Sequence, residues 1–433
     1  MTDLDLTGLD MENVKTTKAM FGFSTKLKTV DATGWDLTGL TEGSGMFVSC
    51  TGMTEIVGSG GWYMPNVIAV DSMIQQCDSL EYIDVTDWDL SSAENMYSMF
   101  WNCDVLKTID GCENWNTGSV TTMKAMFESS HSLKDVDVST WDTGNVKDMS
   151  HMFRSHGIEE LDVSNWDVSN VVYFNSMFSA SSSNTGAMSI QSLDLSKWDT
   201  QNAVTMNNMF HGCSQLLELD LRNWDVSNVT TTSHMFSDCF NIQSIDFTGW
   251  NTASLTSMDG MFNDCRAIKV LDLSDFDTAT VEEFSQIFEA CHSLEQIIGL
   301  DKWDTSKGTA FDEMFNQAHS LKELDLSSFD TRSAKNYVVM QNGGIYYGFS
   351  SMFAGMNSLE KLILGGNFDF NGDGSITTGY PRLPNPAAIN GETTMWYNIA
   401  NDTYYSASDI PEPEGVTVTY VAANPPANPP ANP

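Results

Sequence analysis

Hydrophobic and polar positions along the chain follow two periods that take turns. In "LLELDLRNW", Leu217, Leu219 and Leu221 alternate with Glu218 and Asp220, the period of two expected of a strand with one buried face. After Trp224 the period lengthens. Val229, then Met235 and Phe236, then Cys239 fall near spacings of three and four, which predicts the apolar stripe of a short helix or helical turn. The intervening "WDVSN" supplies side-chain oxygens that can accept hydrogen bonds from the free amides of a helix start. This strand-then-helix unit recurs. Taking the apolar residue before Asp or its substitute as a marker gives Leu9, Trp35, Trp62, Trp88, Trp115, Trp141, Trp166, Trp198, Trp224, Trp250, Phe276, Trp303 and Phe329. Successive gaps are 25 to 27 residues, apart from 32 between Trp166 and Trp198. In twelve of the thirteen units a Met or Ile follows eleven residues after the marker; at Phe329 it is delayed to Met352.

Self-similarity at this period overrides a domain count based on length alone and predicts a stack of coils. One strand and one short helix per unit of about 26 residues is the leucine-rich-repeat type of solenoid. The expected fold is an α/β repeat solenoid: a right-handed stack of about 13 coils, one parallel sheet with short helices opposite, and a small β-rich C-terminal cap. Expected boundaries are residues 1–368 for the solenoid, 369–421 for the cap and 422–433 for a Pro-rich linker or stalk. The units "SLEYIDVTDWDLSSAENMYSMFWNC" and "NIQSIDFTGWNTASLTSMDGMFNDC" resemble the repeat of BspA-like leucine-rich-repeat surface proteins of bacteria, with relatives in protists and viruses. The resemblance covers roughly residues 1–368 and implies a non-enzymatic adhesin or cell-surface interaction protein.

Stacking explains the recurring residues. Each side chain sits against its counterpart in the next coil, so the marker aromatics and the Met-Phe pairs should form continuous buried ladders, each residue contributing about 1.5–3 kcal/mol. Cys50, Cys77, Cys103, Cys213, Cys239, Cys265 and Cys291 fall four residues after the Met or Ile, where other units place Ser24, Ser130, Ser181 or Ala318. A slot shared by Cys, Ser and Ala is small and buried, and no C-x2-C pair suggests zinc. The expected state is stacked free thiols, with vertical disulfides open to an extracellular chain.

Charge narrows the partners. The chain carries 20 basic and 58 acidic residues, a formal charge of −38, which repels phosphate-rich nucleic acid. Much of the acid is in register. One row (Asp84, Asp137, Asp162, Asp194, Asp220, Asp246, Asp272, Asp325) points outward from the strand, and a second follows the markers (Asp36, Asp89, Asp142, Asp167, Asp199, Asp225, Asp277, Asp304, Asp330). The first row reads as a solvated face or one that recruits cations or a cationic partner, and the second as caps of the helix starts. A catalytic carboxylate pair is singular, whereas these repeat, so no enzyme is expected.

Two breaks interrupt the repeat. "SASSSNTGAMSIQS" at 179–192 reads as a flexible bulge. "TRSAKNYVVMQNGGIYYGFS" at 331–350 carries Arg332, Lys335, Tyr337, Tyr346 and Tyr347, aromatics beside cations, and reads as a ligand-recognition loop or a tolerated insertion. Beyond it, "NFDFNGDGSITTGY" offers Asp369, Asn371, Asp373 and Ser375 as alternating oxygen ligands for Ca²⁺ around a Gly-enabled turn, but Tyr380 stands where such loops carry a bidentate Glu. A plain Asn-Gly/Asp-Gly turn is the other reading.

The amino end enters the repeat with no cationic or apolar leader, and no run of about 20 apolar residues predicts a membrane span. The chain is therefore expected to be either an internal fragment of a secreted protein or one delivered without a signal peptide, as a virion protein would be. The function expected is a surface adhesin or recognition protein, on a cell or a virion, that binds a host or partner protein or a glycan. The alternative is a structural spacer or a phage tail- or fibre-type component whose binding domain lies elsewhere.

Overall fold

Residues 2–180, 189–335, 349–372, 383–389 and 394–425 are described in the computed structural model. Two compact units divide the chain, residues 1–225 and 226–433. In the first, short strands β1 (Asp3–Asp5), β2 (Thr29–Asp31) and β3 (Glu55–Val57) pair in parallel, as do β4 (Tyr82–Asp84) and β5 (Thr108–Asp110), and β6 spans Glu218–Asp220. The second unit holds β7 (Ser244–Asp246) and the parallel pair β8 (Val270–Asp272) and β9 (Gln296–Ile298). It also holds β10 (Glu323–Leu326) and β11 (Lys361–Leu364), again parallel. Then the direction changes: β12 (Met395–Asn398), β13 (Thr403–Tyr405) and β14 (Val418–Ala423) are antiparallel, with β14 lying between β11 and β12.

This is the expected parallel β-solenoid, with about eleven turns instead of thirteen. Strands β1 to β11 make up these turns, and the segments before Trp141, Trp166 and Trp198 form no strand.

The helices expected opposite the strands are absent; no α-helix occurs among the described residues. Each apolar stripe runs instead through consecutive turns. Between Met123 and Ser130, the amides of Met126, Glu128 and Ser130 donate to carbonyls three residues back, whereas those of Ala125, Phe127 and Ser129 donate to Ser150, Met152 and Arg154 of the next coil. An α-helix would keep all these bonds within itself. Ala125 and Ser129 take left-handed φ values of 54° and 60°, which breaks the helix and redirects the intervening amides sideways. A second parallel ladder of single bridges joins the coils here, from Thr16 through Glu42, Ala69, Asn95, Thr122, Asp148 and Tyr173 to Thr205 in the first unit.

Between the two ladders lies the core. Trp35, Trp62, Trp88, Trp115, Trp141 and Trp166 stack at 5.7–6.4 Å, and Phe100, Phe127, Phe153 and Phe178 at 5.7–5.9 Å. In the second unit Phe262, Phe288, Phe315 and Phe353 continue the same pattern at 5.5–6.0 Å. Indole N–H groups of Trp35, Trp88, Trp141 and Trp166 donate to carbonyls of the preceding coil at 2.8–3.0 Å. Those of Trp62, Trp115 and Trp303 have no partner. These three markers end the 27-residue gaps, and each follows a 3-10 turn (Ser59–Gly61, Cys112–Asn114, Leu300–Lys302) entered through a left-handed glycine, Gly58, Gly111 or Gly299. The extra residue is wound into that turn, immediately before the indole, and the turn carbonyls of Ser59 and Cys112 accept from the next coil's Trp88 and Trp141. The strands before these turns, β3, β5 and β9, are also the last of their parallel blocks.

Candidate functional site

Both aspartate rows face out, and both are bonded. Asp84 Oδ1 accepts from the Thr86 amide at 3.0 Å and its hydroxyl at 2.6 Å; Asp137, Asp162, Asp194 and Asp272 repeat this with a Ser two residues on. The hydroxyl donors hold Asp162, Asp194 and Asp272 below the usual carboxylate range. The first row is thus not merely solvated. It closes the turn after each strand. In the second row Asp36, Asp89, Asp167 and Asp304 accept from the amide two residues ahead at 2.9–3.0 Å, so they cap turns, there being no helix to cap. Threonines two residues after the markers tie coils together: Thr117 and Thr143 donate to the Asp142 and Asp167 carbonyls at 2.8 Å, and Thr305 to that of Asp330 at 3.0 Å.

All eight cysteines are buried. Cys50, Cys103, Cys265 and Cys291 donate to carbonyls of the preceding coil at 3.1 Å, and Ser130 does the same from its slot at 2.8 Å. Burial pushes Cys103 up to about 12 and Cys77 and Cys265 well above the thiol range, which makes them poor nucleophiles. One coil puts His156 in this slot, which sequence reasoning missed although it stands four residues after Met152. It is fully buried, Nδ1 accepts from the Ile158 amide at 2.9 Å, and Nε2 is unpartnered. Burial, with His131 nearby, lowers its pKa to about 3.

Of the predicted recognition loop, Arg332 and Lys335 are described; Tyr337, Tyr346 and Tyr347 lie outside the described residues. Arg332 Nε donates to Asp330 Oδ1 at 2.9 Å and Nη2 to Oδ2 at 2.5 Å, in an exposed pair, while the Lys335 amide donates to the Thr309 carbonyl. Of the predicted calcium ligands, Asp373 and Ser375 also lie outside the described residues. Asp369 Oδ1 accepts from the Asn371 amide at 2.7 Å, and the Asp369 carbonyl from the Thr331 hydroxyl at 2.8 Å, the geometry of the second aspartate row. Asn371 Nδ2 donates to Glu412 Oε1 at 2.6 Å. Among the described residues no group of three or more His, Cys, Asp or Glu is placed to hold a metal ion.

The strand face of the second unit has a cleft that the repeat pattern does not foretell. It separates β9 from β10, and its lining includes Val270, Ile298, Glu295, Asp301, Lys322, Glu323 and Asp325. On either side of it the coils are joined directly, Ser320 Oγ donating to the His292 carbonyl at 2.7 Å and Ser328 Oγ to the Leu300 carbonyl at 3.3 Å. On the opposite wall of the same unit, burial and Glu313 raise Glu289 to about 7, and burial raises Asp312 to about 6. Asn263 and Asn316 donate to the Glu289 carboxylate at 2.7 and 3.1 Å.

A family model described as "Mycoplasma protein of unknown function, DUF285" matches residues 2–83, 68–189, 183–270 and 256–361. The chain belongs to this family. No curated protein matches it. Among solved structures it is similar to a leucine rich cell surface protein from Faecalibacterium prausnitzii, at 17% identity over 74% of this chain and 86% of the other, TM-score 0.41. It is also similar to leucine-rich repeat proteins from Eubacterium ventriosum (12% identity, 82% and 88% covered, TM-score 0.37) and Bacteroides ovatus (14%, 72% and 82%, 0.30). Among the described residues of this DUF285 chain, no helix is long and apolar enough to cross a membrane.

Proposed function

We propose that this member of the DUF285 family is a non-enzymatic surface recognition protein, an adhesin that presents a rigid repeat scaffold to a protein or glycan on another cell or virion. The observation that carries the reading is where the reactive side chains are used. Aspartates close turns, threonines and thiols join coils, and the thiols are pushed away from reactivity, so repeated chemistry is absorbed in holding the stack. Left over for a partner is an acidic strand face. Location at a cell or virion surface goes with this role, and the charge disfavours nucleic acid. Under the same reading residues 369–421 cap the solenoid and 422–433 form a stalk, while Arg332, Lys335, Tyr337, Tyr346 and Tyr347 add a second contact region.

The test is a binding screen of the full chain on glycan arrays, displayed protein panels and intact cells, alongside a turnover assay on polysaccharides. Saturable binding without turnover is expected. A spacer or tail-fibre component would bind nothing specific, and turnover would remove the non-enzymatic reading.

A further inference from the structure

We propose that His292 and His319 form a two-imidazole site for a divalent transition-metal ion of the Zn²⁺, Ni²⁺ and Cu²⁺ class. The inference goes beyond the recognition reading and does not rest on it. Both residues directly follow the small buried slot of their coils, Cys291 and Ala318, and stand four residues before β9 and β10. The His292 amide donates to the Ala290 carbonyl and the His319 amide to the Gln317 carbonyl, each at 2.8 Å. One tight turn, repeated in successive coils, thus launches both side chains from a single column. Their rings stack with centroids 5.0 Å apart and planes 4° apart, and both residues are half-buried.

The lone pairs are free to bind. His319 Nδ1 lies 2.7 Å from the Gly355 carbonyl oxygen, which can only accept, so Nδ1 carries the proton and the neutral ring keeps its lone pair on Nε2. A backbone carbonyl on the far nitrogen is the support that metal-binding imidazoles use to fix tautomer and orientation. Among the described residues no hydrogen bond engages His319 Nε2 or the His292 ring. Zinc–imidazole bonds of about 2.0–2.1 Å let two nitrogens lie up to about 4.2 Å apart. From a centroid separation of 5.0 Å, partly exposed rings reach this by leaning their edges together by about 1 Å. Charge favours the ion. The neighbouring cation of the column, Arg266, is neutralised by Asp264, to which its Nε and Nη2 donate at 2.7 Å, and its guanidinium lies over Phe240 at 4.2 Å. Imidazole ligands select transition metals over Ca²⁺ and Mg²⁺, and water fills the remaining positions. Bound here, the ion ties together the two coils that carry β9 and β10, at the corner where Ser320 Oγ already donates to the His292 carbonyl.

The probe is Zn²⁺, titrated into the full chain by calorimetry, with Mg²⁺ as the control ion. One saturable equivalent of Zn²⁺ is expected, with shifted imidazole NMR signals of His292 and His319 and slower amide exchange at Ser293 and Ser320. In His292→Asn or His319→Asn the affinity should fall about tenfold or more. His131→Asn should leave it unchanged, because His131 has Asp104 before it and Gly157 after it in the column, and no second imidazole there. Asparagine already occupies the column in the last coil, as Asn357, so the variants should fold, and their melting curves check it. Zinc binding that survives both substitutions, binding that Mg²⁺ matches, or no saturable binding of Zn²⁺ overturns the site. None of these outcomes touches the recognition reading, which stands or falls on glycan, protein and cell binding.

Discussion

Replacing Gly111 with alanine tests how the repeat absorbs an extra residue. Gly111 opens the 3-10 turn of a 27-residue gap at φ 98°, and a Cβ there would lie 2.4 Å from Thr86 Cα and 2.7 Å from Thr86 N. Both atoms are backbone of the preceding coil, so neither can swing aside. Left-handed φ costs a non-glycine residue about 1–2 kcal/mol, and forcing atoms into a packed site adds about 1–3 kcal/mol. Gly111→Ala should therefore destabilise by about 2–5 kcal/mol. Gly34 is the control: its φ is 79°, but a Cβ would meet nothing within 4 Å. Gly34→Ala should cost only the conformational part, about 1–2 kcal/mol. Denaturant unfolding of the full chain measures both, with amide exchange locating the loss in the coils around Thr86 and Gly111. Equal costs for the two substitutions would refute the steric account of the turn.

Acid should act through His156: its pKa is about 3 when folded against 6.5 in the open chain, so the unfolded state binds more protons between those values and stability falls as pH drops. At about pH 4 this amounts to roughly 3 kcal/mol, and His156→Ser, which places the Ser130 solution in that slot, should lose less stability than wild type between neutral and acid melts. Glu289 runs the other way. Its pKa is raised to about 7, so the penalty of ionising it is absent at low pH and grows as pH rises through that value; Glu289→Gln should raise the melting temperature at alkaline pH and have little effect in acid. Cys77, Cys103, Cys265 and Cys291 should resist an alkylating probe in native buffer and react at once in denaturant; rapid native labelling would contradict their carbonyl bonds and raised pKa values. If residues 369–375 bind calcium, Ca²⁺ should stabilise the C-terminal unit saturably, better than Mg²⁺, and Asp373→Ala should abolish the effect; equal responses leave only a turn.

The ladders were legible because stacking puts one demand on each position in every coil: Trp35, Trp62 and Trp88 had to be aromatic, and Cys50 and Cys77 small. The wall opposite the strands was not. A stripe at spacings near three and four fits a helix and a chain of turns alike, and the left-handed positions that decide between them carry Gly or Asn only in scattered coils (Gly45, Asn102, Asn208, Gly212, Gly260) and residues such as Ala125, Ser129 and His151 in the others. Two signals were present and unused. The 27-residue gaps coincide with Gly58, Gly111 and Gly299, which mark the inserted turns, and a Ser or Thr two residues after the strand aspartate, with Arg222 after Asp220 as the exception, marks the bonded row.

The account rests on coils bonded to one another along two walls. Residue-resolved amide exchange on the full chain tests this most directly. The amides of Ala125, Phe127 and Ser129, which donate to the next coil, should be protected as strongly as those of β5. Protection confined to the strands, with Met123 to Ser130 exchanging as an open loop, would contradict it.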